Sequence, residues 1–511
     1  MLKQQQGYLM IVAVLLIMVI GFLGTAVSYM LVGGVNATSS QAKSTQSLYL
    51  AESALEQATY NLLNVTIASR SACSGLSLSS SLGAGAYSLS TTGPFYVSSP
   101  TTLNGALIAS ATTLTVASTS GYQSSGRIQI DKELMNYASV DSTHFIGVTR
   151  GVDGSVAAAH ATGAPIGQYQ CNLSAQGGVP DLTTPQGKRL LKEGVQLQEA
   201  WAVGNSSSSN LTFLRWNKPT EVDWSNASIG GAQDLNGIFM LSYVDGWAVG
   251  QAGKFLHWDG SAWSLTTVSP SIIYQSVYCS ASNDCHAVGA SSGSSTTIVH
   301  WDGSTWSRII PIGTTAKTAL RGVHCDSSND CWTVGSNTGG GIFYQWNGST
   351  WTGVSVSTLT GFTFNGVFCN SSTDCWAVGG NAQFARKSGT SWAGFATGLP
   401  SATYNSVFCN SSTDCWAVGN TQSSEDLIVH WNGTSWSRDT SNPTPIENLT
   451  HVVCANSKDC WAVGANAVFV HWNGSTWSQF TTSGLPAAQL NAVSIVSPGQ
   501  QPESAWQEPA T

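Results

Sequence analysis

The chain has 511 residues, more than one core usually serves, so two or three domains are expected. Only 9% of its residues are charged, and solubility must rest on Ser, Thr, Asn and Gly. A formal charge of -8 offers no basic face to attract nucleic acid, which excludes that class of partner.

From Tyr8 to Val35 the chain is nearly all apolar, with no charge between Lys3 and Lys43. Those 28 positions make a helix of roughly 42 Å at 1.5 Å per residue, longer than the bilayer's hydrocarbon core of about 30 Å. It is too long for a signal-peptide core. Downstream, Leu48, Ala51, Leu55, Ala58 and Leu62 recur at three and four, an apolar stripe that leaves Glu52 and Glu56 on a wet side. One helix is expected over 8–64, apolar all round in its first half and amphipathic in its second.

The short leader ending in Gly7, the aromatic Tyr8, the apolar run and the "LAESALEQA" helix together resemble type IV pilin-like proteins, in particular PilX-like and MSHA-type minor pilins. The resemblance covers about the first 65 residues. It implies cleavage by a prepilin peptidase between Gly7 and Tyr8, methylation of the new N-terminus, and a helix that leaves the inner membrane to pack with other pilin subunits in a filament core. The fifth residue after that cut, usually Glu in major pilins, is Val12 here, which favours a minor or tip subunit.

Residues 65–197 read as short strands and Gly, Ser and Pro turns, a small pilin-like β head whose last strand is "RLLKEGVQLQ". Cys73 and Cys171 are its two cysteines and are expected to pair in an exported chain. Between them, about 101–167 reads as an inserted all-β module. It looks like a unit that recurs in phage structural and bacterial surface proteins, through Phe145, Gly147, Val148, Arg150, Gly151, Gly154, His160 and Gly163. Its cluster Asp131, Lys132, Glu133 reads as a solvated turn.

Residues 198–500 repeat. The tetrad WAVG or a close variant begins at Trp201, Trp247, His286, Trp332, Trp376, Trp416 and Trp461, at steps of 39 to 46 residues. Most copies follow a strand such as "FNGVFC", and each precedes a hairpin such as "HWNGSTW". Asn-Gly or Asp-Gly supplies the tight turn of that hairpin, and the flanking tryptophans offer large faces for stacking sheets. Four strands per unit at this period indicate a β-propeller. Seven tetrads, a poor opening strand and the orphan strand "LNAVSIVS" at 490–497 predict seven blades closed by the C-terminus, followed by a tail at 501–511. The expected fold class is therefore an α+β pilin, with a long N-terminal helix and a small β head, followed by an all-β seven-bladed propeller.

Five blades carry a cysteine pair across one hairpin: Cys279 with Cys285, Cys325 with Cys331, Cys369 with Cys375, Cys409 with Cys415, and Cys454 with Cys460. Zinc would need two pairs to converge, and equivalent positions on neighbouring blades are held about 10 Å or more apart. Disulfides are expected, each clipping a hairpin loop, in keeping with an extracellular setting. The Asp before each second cysteine reads as a turn-forming carboxylate rather than a calcium ligand.

The histidines His257, His300, His430 and His471 recur at one blade position and mark a structural slot. The off-pattern acids Glu221, Asp223, Asp234, Asp245, Glu425, Asp426 and Glu447 are scattered, whereas glycosidases need two that converge. The expectation is a non-enzymatic chain without metal or cofactor. It would be an adhesive or structural subunit of a pilus-like extracellular filament, displaying the propeller to a surface, glycan or protein ligand. The alternatives are a membrane-anchored carbohydrate-active enzyme and a plain single-pass surface protein. The partners are other pilin subunits, the prepilin peptidase and assembly machinery, and the inner membrane before assembly.

Overall fold

A computed structural model describes residues 39–55 and most of residues 78–496; the longest interruptions are 93–100, 421–427 and 481–487. Gly7, Tyr8, the apolar run, Cys73 and the 501–511 tail lie outside the described residues. Among the described residues no helix is long and apolar enough to cross a membrane.

Helix 39–55 packs on a four-stranded antiparallel sheet ordered Leu78–Leu82, Gly85–Thr92, Gln170–Val179, Gly187–Gln196. Its buried face is Ser47, Leu50, Ala51, Ala54 and Leu55. The expected stripe is thus shifted: Ala51 and Leu55 belong to it, but Leu48 is only half-buried. The reason is close approach. A Cβ on Gly177 of the sheet would overlap the Ser47 carbonyl, so small helix residues must sit over that glycine.

The inserted module has a four-stranded sheet that includes the hairpin Gly126–Ile130 and Glu133–Tyr137, and a three-stranded sheet around His144–Ile146. Phe145 is fully buried between them, edge-on to Tyr122 and Tyr137 at 5.0 and 4.9 Å.

From Glu199 onward the chain forms seven four-stranded antiparallel sheets, a β-propeller. In six of them the strands follow chain order. In the first, the inner strand is Leu490–Val496, paired with Glu199–Ser207 so that the two ends of the repeat region close the ring.

Each letter of the tetrad has a physical task in the second strand of its sheet. The tryptophan is buried against the tryptophan pair of the next blade: Trp247 meets Trp301 and Trp306 at 4.9 and 5.1 Å, and Trp416 meets Trp472 and Trp477 at 4.8 and 5.2 Å. Such contacts add to simple area burial. The small Ala and Val are buried in most blades. The glycine is dictated by the residue after it. Gly380 N donates to Thr363 O, Asn420 N to Thr403 O and Ala465 N to Asn448 O, so a Cβ on Gly379, Gly419 or Gly464 would overlap that same carbonyl.

All five repeat cysteine pairs are disulfides: Cys279 to Cys285, Cys325 to Cys331, Cys369 to Cys375, Cys409 to Cys415, and Cys454 to Cys460, each with a sequence separation of 6. The expectation of a clip on the loop is refined in one respect. Cys285, Cys331, Cys375, Cys415 and Cys460 each lie in the second strand, directly opposite their partner in the first, so the bridge crosses the strand ladder itself. All five of these second cysteines are fully buried. Cys171 lies in strand Gln170–Val179, and its expected partner, Cys73, falls outside the described residues.

The first tryptophan of each third-to-fourth-strand turn ties the clipped loop down: Trp301 Nε1 donates to Ser282 O, and Trp346, Trp431 and Trp472 make the same bond in their blades. In the fifth blade, which has "RKSGTSW", Lys387 takes over that task. Its Nζ donates to Ser372 O and sits 5.4 Å from the Trp332 ring centroid.

Candidate functional site

The inner strands surround a central channel with a cavity of about 620 Å³. Near the start of six of the inner strands a polar side chain stitches one blade to the next. Asn236 Nδ2 donates to Tyr274 O, Asn365 to Tyr404 O, Asn405 to Leu449 O and Asn491 to Leu235 O, at 2.7 to 2.9 Å. Thr450 Oγ1 bonds Leu490 O in the same way, and Arg321 Nη1 reaches Asn365 Oδ1. These bonds satisfy strand-end carbonyls that would otherwise be unpaired at the wall.

At the opposite mouth, beside the disulfide clips, the inner strands present an aromatic collar. Phe239, Tyr278, His324, Phe368 and Phe408 follow one another around it with ring centroids 4.2, 4.4, 4.2 and 4.6 Å apart. Four of the five directly precede a clip cysteine. His324 is buried, and its Nδ1 accepts from Cys369 N at 3.3 Å. Burial, with the charge of nearby Lys132 added, holds its pKa well below the usual histidine value, so the collar is uncharged at neutral pH.

The turn between the module's paired strands meets this mouth. Asp131 Oδ1 accepts from Ser282 N, inside the blade-three clip loop, at 2.9 Å. Lys132 Nζ donates to Tyr278 Oη at 3.0 Å and lies 4.6 and 5.4 Å from the Tyr278 and Phe239 centroids, within cation–π range. Its side chain remains exposed at the mouth.

The expectation of a solvated turn at Asp131–Glu133 is therefore corrected. Asp131 and Glu133 are 6% and 2% exposed. His160 bridges them, Nδ1 to Asp131 at 2.6 Å and Nε2 to Glu133 at 2.8 Å. Arg150 binds Glu133 through both nitrogens at 2.7 Å, and the backbone N–H groups of Gly151 and Ala158 also donate to it. Burial raises the Glu133 pKa, but the bonds from Arg150, Ala158 and His160 outweigh it and hold the carboxyl ionised. Burial likewise opposes a charge on His160, and the two carboxylates overcome it, raising its pKa. Buried charges demand this degree of pairing. Asp131 sits at φ +51°, a strained conformation that the network maintains.

The remaining sequence candidates have structural partners. The Asp before each second clip cysteine bonds a third-strand side chain rather than turning the backbone, which corrects that expectation. Asp284, before Cys285, bonds His300 at 2.7 Å; Asp414, before Cys415, bonds His430 at 2.7 Å; and Asp459, before Cys460, bonds His471 at 2.8 Å. Asp330 bonds Gln345 at 3.0 Å and Asp374 bonds Arg386 at 3.1 Å. Asp245 pairs with His257 at 2.8 Å in the unclipped second blade. His257, His430 and His471 lie in turn against the tetrad tryptophans Trp247, Trp416 and Trp461 at 4.3, 4.3 and 4.4 Å, and Arg386 lies over Trp376.

Among the described residues two groups of side chains are close enough to suggest a metal. In Asp284, His286 and His300 the two imidazoles stack at 4.6 Å, and Asp284 Oδ1 already serves both Nε2 atoms, at 2.7 Å for His300 and 3.5 Å for His286. In His286, Cys325 and Cys331 the two sulfurs are bonded to each other and present no thiolate. Asp234 ties the first two blades together through Ser206 and Gln251. Glu221, Asp223, Glu425, Asp426 and Glu447 fall outside the described residues.

No protein-family model matches the chain, and no curated protein matches it by sequence. Among solved structures, YCF48 bound to D1 peptide is 14% identical with a TM-score of 0.41, over 57% of this chain and 90% of that one. YCF48 from Cyanidioschyzon merolae is 16% identical with a TM-score of 0.41, over 53% and 95%. The WD40 β-propeller domain of Doa1 is 11% identical with a TM-score of 0.41, over 57% and 89%. Similarity this low carries no function across, and the assignment as a β-propeller rests on the chain's own sheets and their closure.

Proposed function

We propose that this chain is a non-enzymatic recognition subunit whose propeller is the binding head and whose N-terminal segment is a pilin-like rod for filament assembly. The observation that carries the binding half is the lining of the channel: backbone, amides, hydroxyls and an aromatic collar, surfaces suited to holding a ligand rather than to proton transfer by paired carboxylates. What supports the rod is the apolar run from Tyr8 to Val35 behind Gly7, continued by helix 39–55 seated on a small four-stranded sheet. The disulfide clips suit an extracellular position. In this reading the protein begins in the inner membrane, is cut between Gly7 and Tyr8, and joins a surface filament with other pilin subunits.

Mass spectrometry of the native N-terminus tests the rod. A mature chain beginning at Tyr8, recovered in the sheared filament fraction, is the expected result. A chain that keeps Met1 and stays in the membrane fraction overturns the filament reading, leaving a single-pass surface protein.

A further inference from the structure

We propose that the aromatic collar is a binding site for a primary ammonium group, that Lys132 is its tethered occupant, and that a partner's lysyl side chain binds by displacing the module turn. This rests on reading the propeller as a recognition head and specifies the chemistry that it recognises.

The geometry is that of a cation site. Lys132 Nζ lies at the hydroxyl end of Tyr278, donating to its Oη at 3.0 Å with the ring centroid at 4.6 Å, and 5.4 Å from the Phe239 centroid. A ring face presents its negative quadrupole lobe, which attracts an ammonium most strongly where water is thinned. The neighbouring His324 is held neutral and so adds no opposing charge. The remainder of the collar, Phe368 and Phe408, continues the aromatic wall.

The module behaves as a delivery device. The Asp131, Glu133, Arg150 and His160 network is internal to it and fixes the turn without help from the propeller. By contrast, the turn meets the propeller through the Ser282 bond to Asp131 and the exposed tip of Lys132. Most of the order is thus spent on shaping the lysine's presentation, and little on gluing it in place. A tethered ligand competes at a high effective concentration, so weak contacts suffice to keep the site filled until a better presented lysine arrives.

The test uses the full-length chain in non-ionic detergent and a fluorescent Gly-Lys-Gly peptide, followed by anisotropy, with the norleucine peptide as the uncharged control. Lys132→Met keeps the length of the side chain and removes the charge. It is expected to bind the lysine peptide about two- to five-fold more tightly than wild type, a factor matching one exposed cation–π contact. The norleucine peptide should gain nothing, and adding Tyr278→Leu to Lys132→Met should abolish the gain. Lys132→Arg, which retains a cation, should bind the peptide as weakly as wild type. Equal binding by wild type and Lys132→Met, or a gain shared by norleucine, overturns the proposal. Intact disulfides by mass spectrometry certify each variant's fold. Failure here while the mature N-terminus still begins at Tyr8 sinks the amine site alone and leaves the filament subunit standing.

Discussion

His286 occupies the tryptophan slot of the third blade, and replacing it with tryptophan should stabilise the propeller. The imidazole is fully buried and meets Trp346 and Trp351 edge-on at 4.9 and 5.2 Å, close to the distances at which Trp416 meets Trp472 and Trp477. The slot therefore already has the shape for an indole. The imidazole fills it poorly: its Nε2 is 3.5 Å from Asp284 Oδ1, too long for a good hydrogen bond. Burial, opposed by Asp284, lowers its pKa, so it sits there neutral and desolvated. An indole exchanges two unpartnered buried nitrogens for one, since Nε1 of Trp247, Trp332 and Trp416 is likewise buried without a partner, so the desolvation cost changes little. The larger ring adds aromatic contact of about 0.5–1 kcal/mol, partly offset by losing the weak attraction to Asp284. A net gain of up to about 1 kcal/mol should raise the melting temperature by roughly 1–4 °C, followed by tryptophan fluorescence at pH 7.5. Unchanged or lower stability would show that the third blade is built around histidine, and that the equivalence of the slots is wrong.

Three further outcomes follow from the same geometry. Burial pushes the His451 pKa down to about 4, so the folded state requires its neutral form. Stability from that group is complete above about pH 6.5 and is lost as the pH falls from there through about 4, by up to ~3 kcal/mol. His451→Ser, the residue its neighbour Ser406 already uses, should shift the acid unfolding midpoint to lower pH, and a midpoint that stays put refutes the assignment. Gly379→Ala places a Cβ onto the Thr363 carbonyl and should cost about 3 kcal/mol or more, read by urea denaturation, whereas alanine at Gly389, where nothing lies within 4 Å, suffers only from its φ of +67° and should cost about 1–2 kcal/mol. Replacing Cys369 and Cys375 together by alanine opens a loop with a sequence separation of 6 and should cost ~2 kcal/mol on the chain-entropy model, an effect that reducing the wild-type protein should reproduce in all five clipped blades.

The propeller was legible because its determinants are local and repeated. A turn needing positive φ, a tryptophan on either side of it and a glycine under a carbonyl each leave a mark at fixed spacing, and seven copies remove coincidence. The cysteine pairs were legible for the same reason, since Cys279 and Cys285, or Cys454 and Cys460, are brought together by a single hairpin. Even so, the tetrad's glycine looks like a turn signal in the sequence, and its real cause, a carbonyl from the start of the inner strand, is non-local. The Asp beside each second cysteine was misread because its partner lies a full hairpin away, as His430 lies 16 positions from Asp414. The Asp131–Glu133 cluster was harder still. Charged residues at a turn are usually wet, and only the fold brings His160 and Arg150, 29 and 17 positions away from their partners, under it. Nothing in the linear text joins Lys132 to Tyr278, 146 residues apart.

What the repeats vary is as informative as what they keep. The eleven residues from Cys369 to Gly379 recur unchanged from Cys409 to Gly419, yet their third strands differ, Arg386 and Lys387 in one blade against His430 and Trp431 in the other. Both combinations satisfy the same Asp and the same loop carbonyl, so these positions answer to folding alone and tolerate any side chain with the right donor. The collar position behaves otherwise. Between a buried Val or Ile and, in most blades, a clip cysteine, it reads Phe239, Tyr278, His324, Phe368, Phe408, Val453 and, in the closing strand, Ser494. Neither the clip nor the strand pairing needs an aromatic there, because the seventh blade closes its own disulfide between Cys454 and Cys460 with Val453 in that place. The aromatics therefore crowd one arc of the mouth where neither clip nor ladder requires them, and the Phe239 and Tyr278 end of that arc is where the module brings its lysine.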